Sequence, residues 1–127
     1  MQEKYLYEYA VIRLVPKVER EEFLNLGLIL FCKKKRYLRI NYQIPSDKIQ
    51  ALCPDFDLEQ LDMNLKAFTK ICSGKSDSGP IGSFETAERF RWLTAIRSSS
   101  IQTSRPHPGF STDLDATFEK LYNEMVL

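Results

Sequence analysis

Tyr5-Leu6-Tyr7-Glu8-Tyr9-Ala10-Val11-Ile12-Arg13-Leu14-Val15, closed at once by Pro16, decides the fold. Its side chains are β-branched and aromatic, and it reads as one long strand. Alternation puts Leu6, Ala10, Ile12 and Leu14 on a face that helices can cover. Tyr5, Tyr7, Tyr9, Val11 and Arg13 form the opposite face.

The next segments extend a sheet. Val18–Glu22 is a short charged connection of one helical turn. Leu24–Cys32 is almost continuously apolar, so both of its faces should be covered. Lys33-Lys34-Lys35 turns the chain into a third strand, Tyr37–Tyr42, which completes a β-hairpin. On alternation alone, Asn25, Gly27, Ile29 and Phe31 join Tyr37, Arg39 and Asn41 on the tyrosine-rich face.

The second half is mainly helical. Ser46 can cap a short helix that stops near Pro54. Asp57 can cap a longer one, with Leu58, Leu61, Leu65, Phe68 and Cys72 as its apolar stripe. Ser73–Ser83 reads as a loop, and Ser83 caps a helix that runs to Ile96. Ser98–Ser104 is extended, and Pro106-His107-Pro108-Gly109 cannot be helical. The last helix starts near Thr112 or Asp113, with Leu114, Phe118, Leu121, Tyr122 and Met125 on one face. The expected fold is a single α+β domain over residues 1–127. It is a two-layer sandwich of an antiparallel sheet, three N-terminal strands plus a short late one, with helices from the C-terminal half.

Bulk properties narrow the function. The net charge of +1 excludes a global basic field for nucleic acid or anionic membrane. Charge is nonetheless uneven: residues 1–54 carry ten basic and six acidic side chains. Cys32, Cys53 and Cys72 are odd in number and widely spaced, no apolar run is long enough to span a bilayer, and the first residues do not read as a signal peptide. A cytoplasmic protein with reduced thiols is expected.

The richest polar stretch is residues 89–109. It holds four of the eight arginines, the only Trp and the only His. Guanidinium groups bind carboxylate or phosphate bidentately, and hydroxyls fill the remaining acceptor sites. Arg91, Trp92, Arg97, Ser98, Ser100 and His107 are therefore anion- or ligand-binding candidates. The alternative is internal: Arg91 and Arg97 pair with Glu19, Glu21 or Glu22. The tyrosine-rich face is open to two readings as well, a base-stacking platform or a surface covered by residues 98–104. The Lys33–Arg36 tip can grip phosphate or simply protect a hairpin end.

No complete catalytic, metal or cofactor motif is present. His107 lacks a nucleophile partner at motif spacing, and one His with three scattered Cys does not make a metal site. Ser73-Gly74-Lys75-Ser76 resembles the tail of a phosphate-binding loop, but Thr69 stands where that motif needs glycine.

Tyr7–Pro16, Val18–Phe31, Arg89–Arg97 and His107–Gly109 together resemble a bacterial family catalogued as domain of unknown function 3037. The likeness spans nearly the whole chain, and residues 99–105 are more polar here than the family pattern. It implies recurrent positions at Arg13, Arg20, Glu22, Asn25, Gly27, Arg91, Trp92, Arg97, Ser98 and His107. It also implies a protein partner, a HipA-like kinase, rather than an activity. Arg13, Arg20, Glu22, Asn25 and Gly27 are expected to form a buried polar network that locks the first strand to the helices. The favoured expectation is a small accessory or protein-interaction domain, without catalysis, cofactor or metal. The alternative is a nucleic-acid or phosphate-ligand binder using the arginine and serine residues around 89–107.

Overall fold

The computed structural model describes residues 3–74, 84–95 and 100–127. Three strands open the chain: β1 (Tyr5–Leu14), β2 (Leu24–Cys32) and β3 (Tyr37–Tyr42). A single 3-10 turn at Val18–Arg20 joins the first two. Helices α1 (Ser46–Leu52), α2 (Leu58–Ser73) and α3 (Thr86–Leu93) follow. Strands β4 (Ile101–Thr103) and β5 (His107–Ser111) then lead into α4 (Leu114–Met125).

All strand pairs are antiparallel, and β1 is central. One edge of β1 carries β2 and then β3. The other carries β4 against Ile12–Leu14 and β5 against Tyr5–Tyr9. The short late strand expected from the sequence is thus two strands on one edge. Ser104 makes the joint: its amide donates to Val11 O (2.8 Å), and its buried hydroxyl accepts from Val11 N (2.9 Å). His107 opens β5, in a segment that, as expected, is not helical.

The α+β class with an antiparallel sheet stands as expected. The layering differs in one respect. Helices α1, α2 and α3 pack on the face of Ala10, Ile12, Leu14, Ile29 and Phe31. Helix α4 covers the opposite face, where Leu114, Phe118 and Tyr122 meet Val11, Leu28, Leu30 and Cys32. Tyr5, Tyr7 and Tyr9 pack partly buried against this second core, so α4 covers the tyrosine-rich face, while described residues 101–103 of the expected covering segment form β4 on the sheet edge.

The β2 faces also differ from simple alternation. Ile12 pairs with Gly27 while Arg13 pairs with Asn25, so Leu26 is an extra residue in the ladder. A bulge of this kind shifts the side-chain phase by one. Ile29 and Phe31 therefore face α1–α3, and Leu28, Leu30 and Cys32 face α4.

Local signals set the ends of α2 and the start of α4. Asp57 accepts from Gln60 N (3.0 Å) at the start of α2, and Asp113 from Ala116 N (3.1 Å) at the start of α4. Gly74 closes α2 in the left-handed conformation, φ 70°. Ser46 is not a cap: it is the first residue of α1, whose N-cap position is Pro45 with no side-chain hydrogen bond. The expected Ser73–Ser83 loop lies mostly outside the described residues. The cap position of α3 is Glu85, with no side-chain hydrogen bond, rather than the expected Ser83, and the helix ends at Leu93 rather than Ile96. No helix among the described residues is long and apolar enough to cross a membrane.

Candidate functional site

The arginine-rich stretch starts on α3, and its first arginine is structural. Arg89 donates to Ile71 O (3.0 Å), Cys72 O (2.6 Å) and Phe84 O (3.0 Å). Two of these carbonyls belong to the last turn of α2, where i+4 amides run out and Ile71 O otherwise meets the capping Gly74 N (3.2 Å). The guanidinium thus caps α2 and meets the negative end of its dipole. The neighbouring Cys72 thiol is pushed up to about 12 by burial, against the opposing pull of Arg89, and is kept protonated. Arg89→Ala should destabilise the fold by about 1.5–3 kcal/mol, because charge-assisted hydrogen bonds to part-buried carbonyls are lost together. Urea unfolding measures it. Arg89→Lys should recover only part, since one ammonium cannot span three carbonyls in a planar fork.

Arg91, two residues on, projects from a different face of α3 and closes on Glu8 of β1. Its Nη1 lies 2.7 Å from Glu8 Oε2 and its Nη2 donates to Oε1 at 3.1 Å. The Oε2 contact is an ion pair without an aligned hydrogen bond. Arg91 is thus held internally, but by Glu8 and not by Glu19, Glu21 or Glu22. His107 lies across the sheet. It pairs in register with Tyr9, and the two rings sit 5.3 Å apart on the α4 face. Glu8 and Tyr9 are adjacent on β1, so they point to opposite faces. Arg91 and His107 therefore do not share a pocket. Arg97 and Ser98 lie outside the described residues.

The structure does bring two candidates together. Trp92 and Ser100 line a cleft of about 280 Å³, with Asn64, Ala67, Phe68 and Ile71 of α2 and Ile101 of β4. Trp92 remains 37% exposed, and the edge of one ring meets the face of the other where it packs against Phe68, 6.5 Å between centroids. Met63, 64% exposed, lies one helical turn before Ala67 on α2. Met63, Phe68 and Ile71 were not singled out from the sequence as site residues. Met63 carried the one available signal: it is a large apolar residue off the helix's buried stripe.

The expected polar network resolves into separate contacts. Arg20 and Glu22 pair with each other in the open. Asn25 instead reaches α4, donating to Met125 O at 3.0 Å and tying the helix end to β2. Arg13 lies with its guanidinium 4.4 Å over the Phe23 ring. Gly27 serves close approach: a Cβ there would sit 2.4 Å from Asn41 O.

Other basic groups are engaged by acids. At the hairpin tip Lys34 pairs with Glu3, and Arg39 on β3 meets Asp115 (3.2 Å) and Glu119 of α4. Tyr37 donates to Asp115 at 2.7 Å, and burial followed by that hydrogen bond pushes its phenol up to about 12. These contacts anchor α4 along β3.

A family described as "Protein of unknown function (DUF3037)" matches residues 9–126. No curated protein and no solved structure matches the chain.

Proposed function

Because the chain belongs to this family of unknown function, we propose from its own geometry that it is a protein-binding domain. The cleft around Trp92 takes an apolar anchor side chain from a partner protein. One observation carries this reading: a large aromatic residue of the kind that dominates interfaces stands part-exposed at an apolar cleft. Drug-sized ligands occupy pockets of about 300–1,000 Å³ with convergent polar groups. This cleft is smaller and mostly apolar in lining, which suits one or two side chains. Arg91 supports the same reading, because Glu8 already occupies its bidentate face.

The partner to test first is a HipA-like kinase, which the family resemblance implies. The purified chain would be titrated calorimetrically with a purified HipA-like kinase of the same organism. Binding by the wild type is expected, with Trp92→Ala weakened by at least ~30-fold, as for a central Trp anchor. Met63→Glu should weaken it less. Absence of wild-type binding would remove the kinase as partner. Equal binding by Trp92→Ala with an unchanged circular dichroism spectrum would remove the cleft.

A further inference from the structure

We propose that two copies of this chain pair antiparallel along β5, about a two-fold axis at Phe110, and so continue the sheet. The surface is separate from the Trp92 cleft, and neither reading depends on the other.

The first observation is an apolar pair left bare at a free edge. Leu6 and Phe110 are register partners on β1 and β5 and are 55% and 69% exposed. They share the face of Glu8, beyond the reach of α3. Among the described strands, β5 pairs only with β1. Helix α4 is tied to β5 by the Ser111–Thr117 hydroxyl contact (2.5 Å) and runs from Asp115 beside Arg39 on β3 to Met125 at Asn25 on β2, and it leaves Phe110 69% exposed.

The second observation is the direction of the backbone groups. Val15 N donates to Ser100 O at 2.7 Å, and Ser104 N donates to Val11 O at 2.8 Å. Odd-numbered residues of β1 thus turn their amides and carbonyls toward the β4–β5 edge, since the direction alternates along a strand. Their β5 partners His107, Gly109 and Ser111 point back at β1. The N–H and C=O of Phe110 therefore point outward. So does the nitrogen of Pro108, whose missing donor is the protection an edge strand normally carries.

These groups are self-complementary in one register. With Phe110 opposite Phe110 of the second copy, the two residues exchange both backbone hydrogen bonds. Pro108 then lies opposite Thr112 of the second copy: its carbonyl accepts from the Thr112 amide, and the reciprocal bond is missing only at the end of the strand. Setting Phe110 opposite Pro108 instead would leave the Phe110 carbonyl without a donor, so the register with Phe110 on the axis is the one that satisfies Phe110 in full. The same register sets His107 opposite Asp113 of the second copy, an imidazole N–H facing a carboxylate, and Asp113 is still extended at φ −144° and ψ 100°. On the other face, two Leu6–Phe110 pairs close into one apolar cluster. Isologous pairing of this type uses one patch twice and terminates at the dimer.

Light scattering and sedimentation over micromolar to millimolar concentrations test the proposal. The wild type should show twice the chain mass at the upper end, and Phe110→Asp and Leu6→Lys should each be monomeric with unchanged circular dichroism. A Phe110→Cys variant in a Cys53→Ser background gives the register. Hydrogen-bonded antiparallel partners have Cα atoms about 5.5 Å apart, within disulfide range. Copper–phenanthroline should therefore oxidise the two thiols to an interchain disulfide, and Ala116→Cys should not form one. A wild type that is monomeric throughout overturns the proposal. So does a dimer that survives Phe110→Asp, or one that fails to cross-link through residue 110.

Discussion

Phe118→Ala should remove about 3–5 kcal/mol of stability, the range for emptying a buried aromatic site that cannot collapse. Phe118 is fully buried and stacks on Tyr122 with 6.2 Å between ring centroids. The Arg39 guanidinium lies over the Phe118 ring, 4.3 Å from its centroid. No other described helix packs on this face, so nothing else can close over Val11, Leu28 and Leu30. The loss should also be local before it is global. Trp92 reports on the opposite layer, so its fluorescence should hold while hydrogen exchange in α4 accelerates. A loss below about 1 kcal/mol, as for a typical surface change, would mean that α4 does not cover a core.

Gly27→Ala should be nearly as damaging, at about 3 kcal/mol or more, for the opposite reason of overpacking. The added Cβ would lie 2.4 Å from Asn41 O and 2.7 Å from Tyr42 Cβ. Both atoms belong to β3, so relief requires opening the β2–β3 pairing itself. Gly109→Ala is the matched comparison. There the added Cβ meets the Tyr7 hydroxyl at 2.4 Å, which is the far end of a side chain that can swing away. Its cost should stay below about 1.5 kcal/mol, within the range of tolerated repacking. Denaturant midpoints for the two variants side by side decide the matter. Equal losses would show that backbone approach at Gly27 is not the constraint.

The legible parts of this fold are those whose cause is local. Tyr5–Leu14 and the hairpin of β2 and β3 follow from β-rich runs flanking a lysine turn. The capping roles of Asp57 and Asp113 follow from side chains three residues before the amides they accept from. The β2 faces were misassigned because a single extra residue, Leu26, inverts the alternation after it. Nothing in the residue pattern marks Leu26 as extra; its partner strand does. Ser46 had the right chemistry for a cap one position too late.

The candidate site was legible in part. Trp92 and Ser100 do meet in one cleft, while Arg91 and His107 stand on opposite faces of the sheet. Arg89 was read as one cation among several, yet it closes the end of α2. The difference lies in distance along the chain: Arg89 and Cys72 are far apart in sequence, and only packing makes them neighbours.

The amino-acid sequence by itself determined the α+β class, the order of most elements, the antiparallel hairpin and the two capped helices. Each of these depends on residues within one or two turns of each other, where propensity and periodicity act directly. Tertiary structure alone decided that α4 takes the tyrosine face, that the late strand divides at Ser104, and which acid holds each arginine. It also decided that Leu6 and Phe110 stay bare. Those outcomes depend on which apolar faces cover one another, and burial is non-directional: an amphipathic stripe states that it needs a partner surface without stating which one.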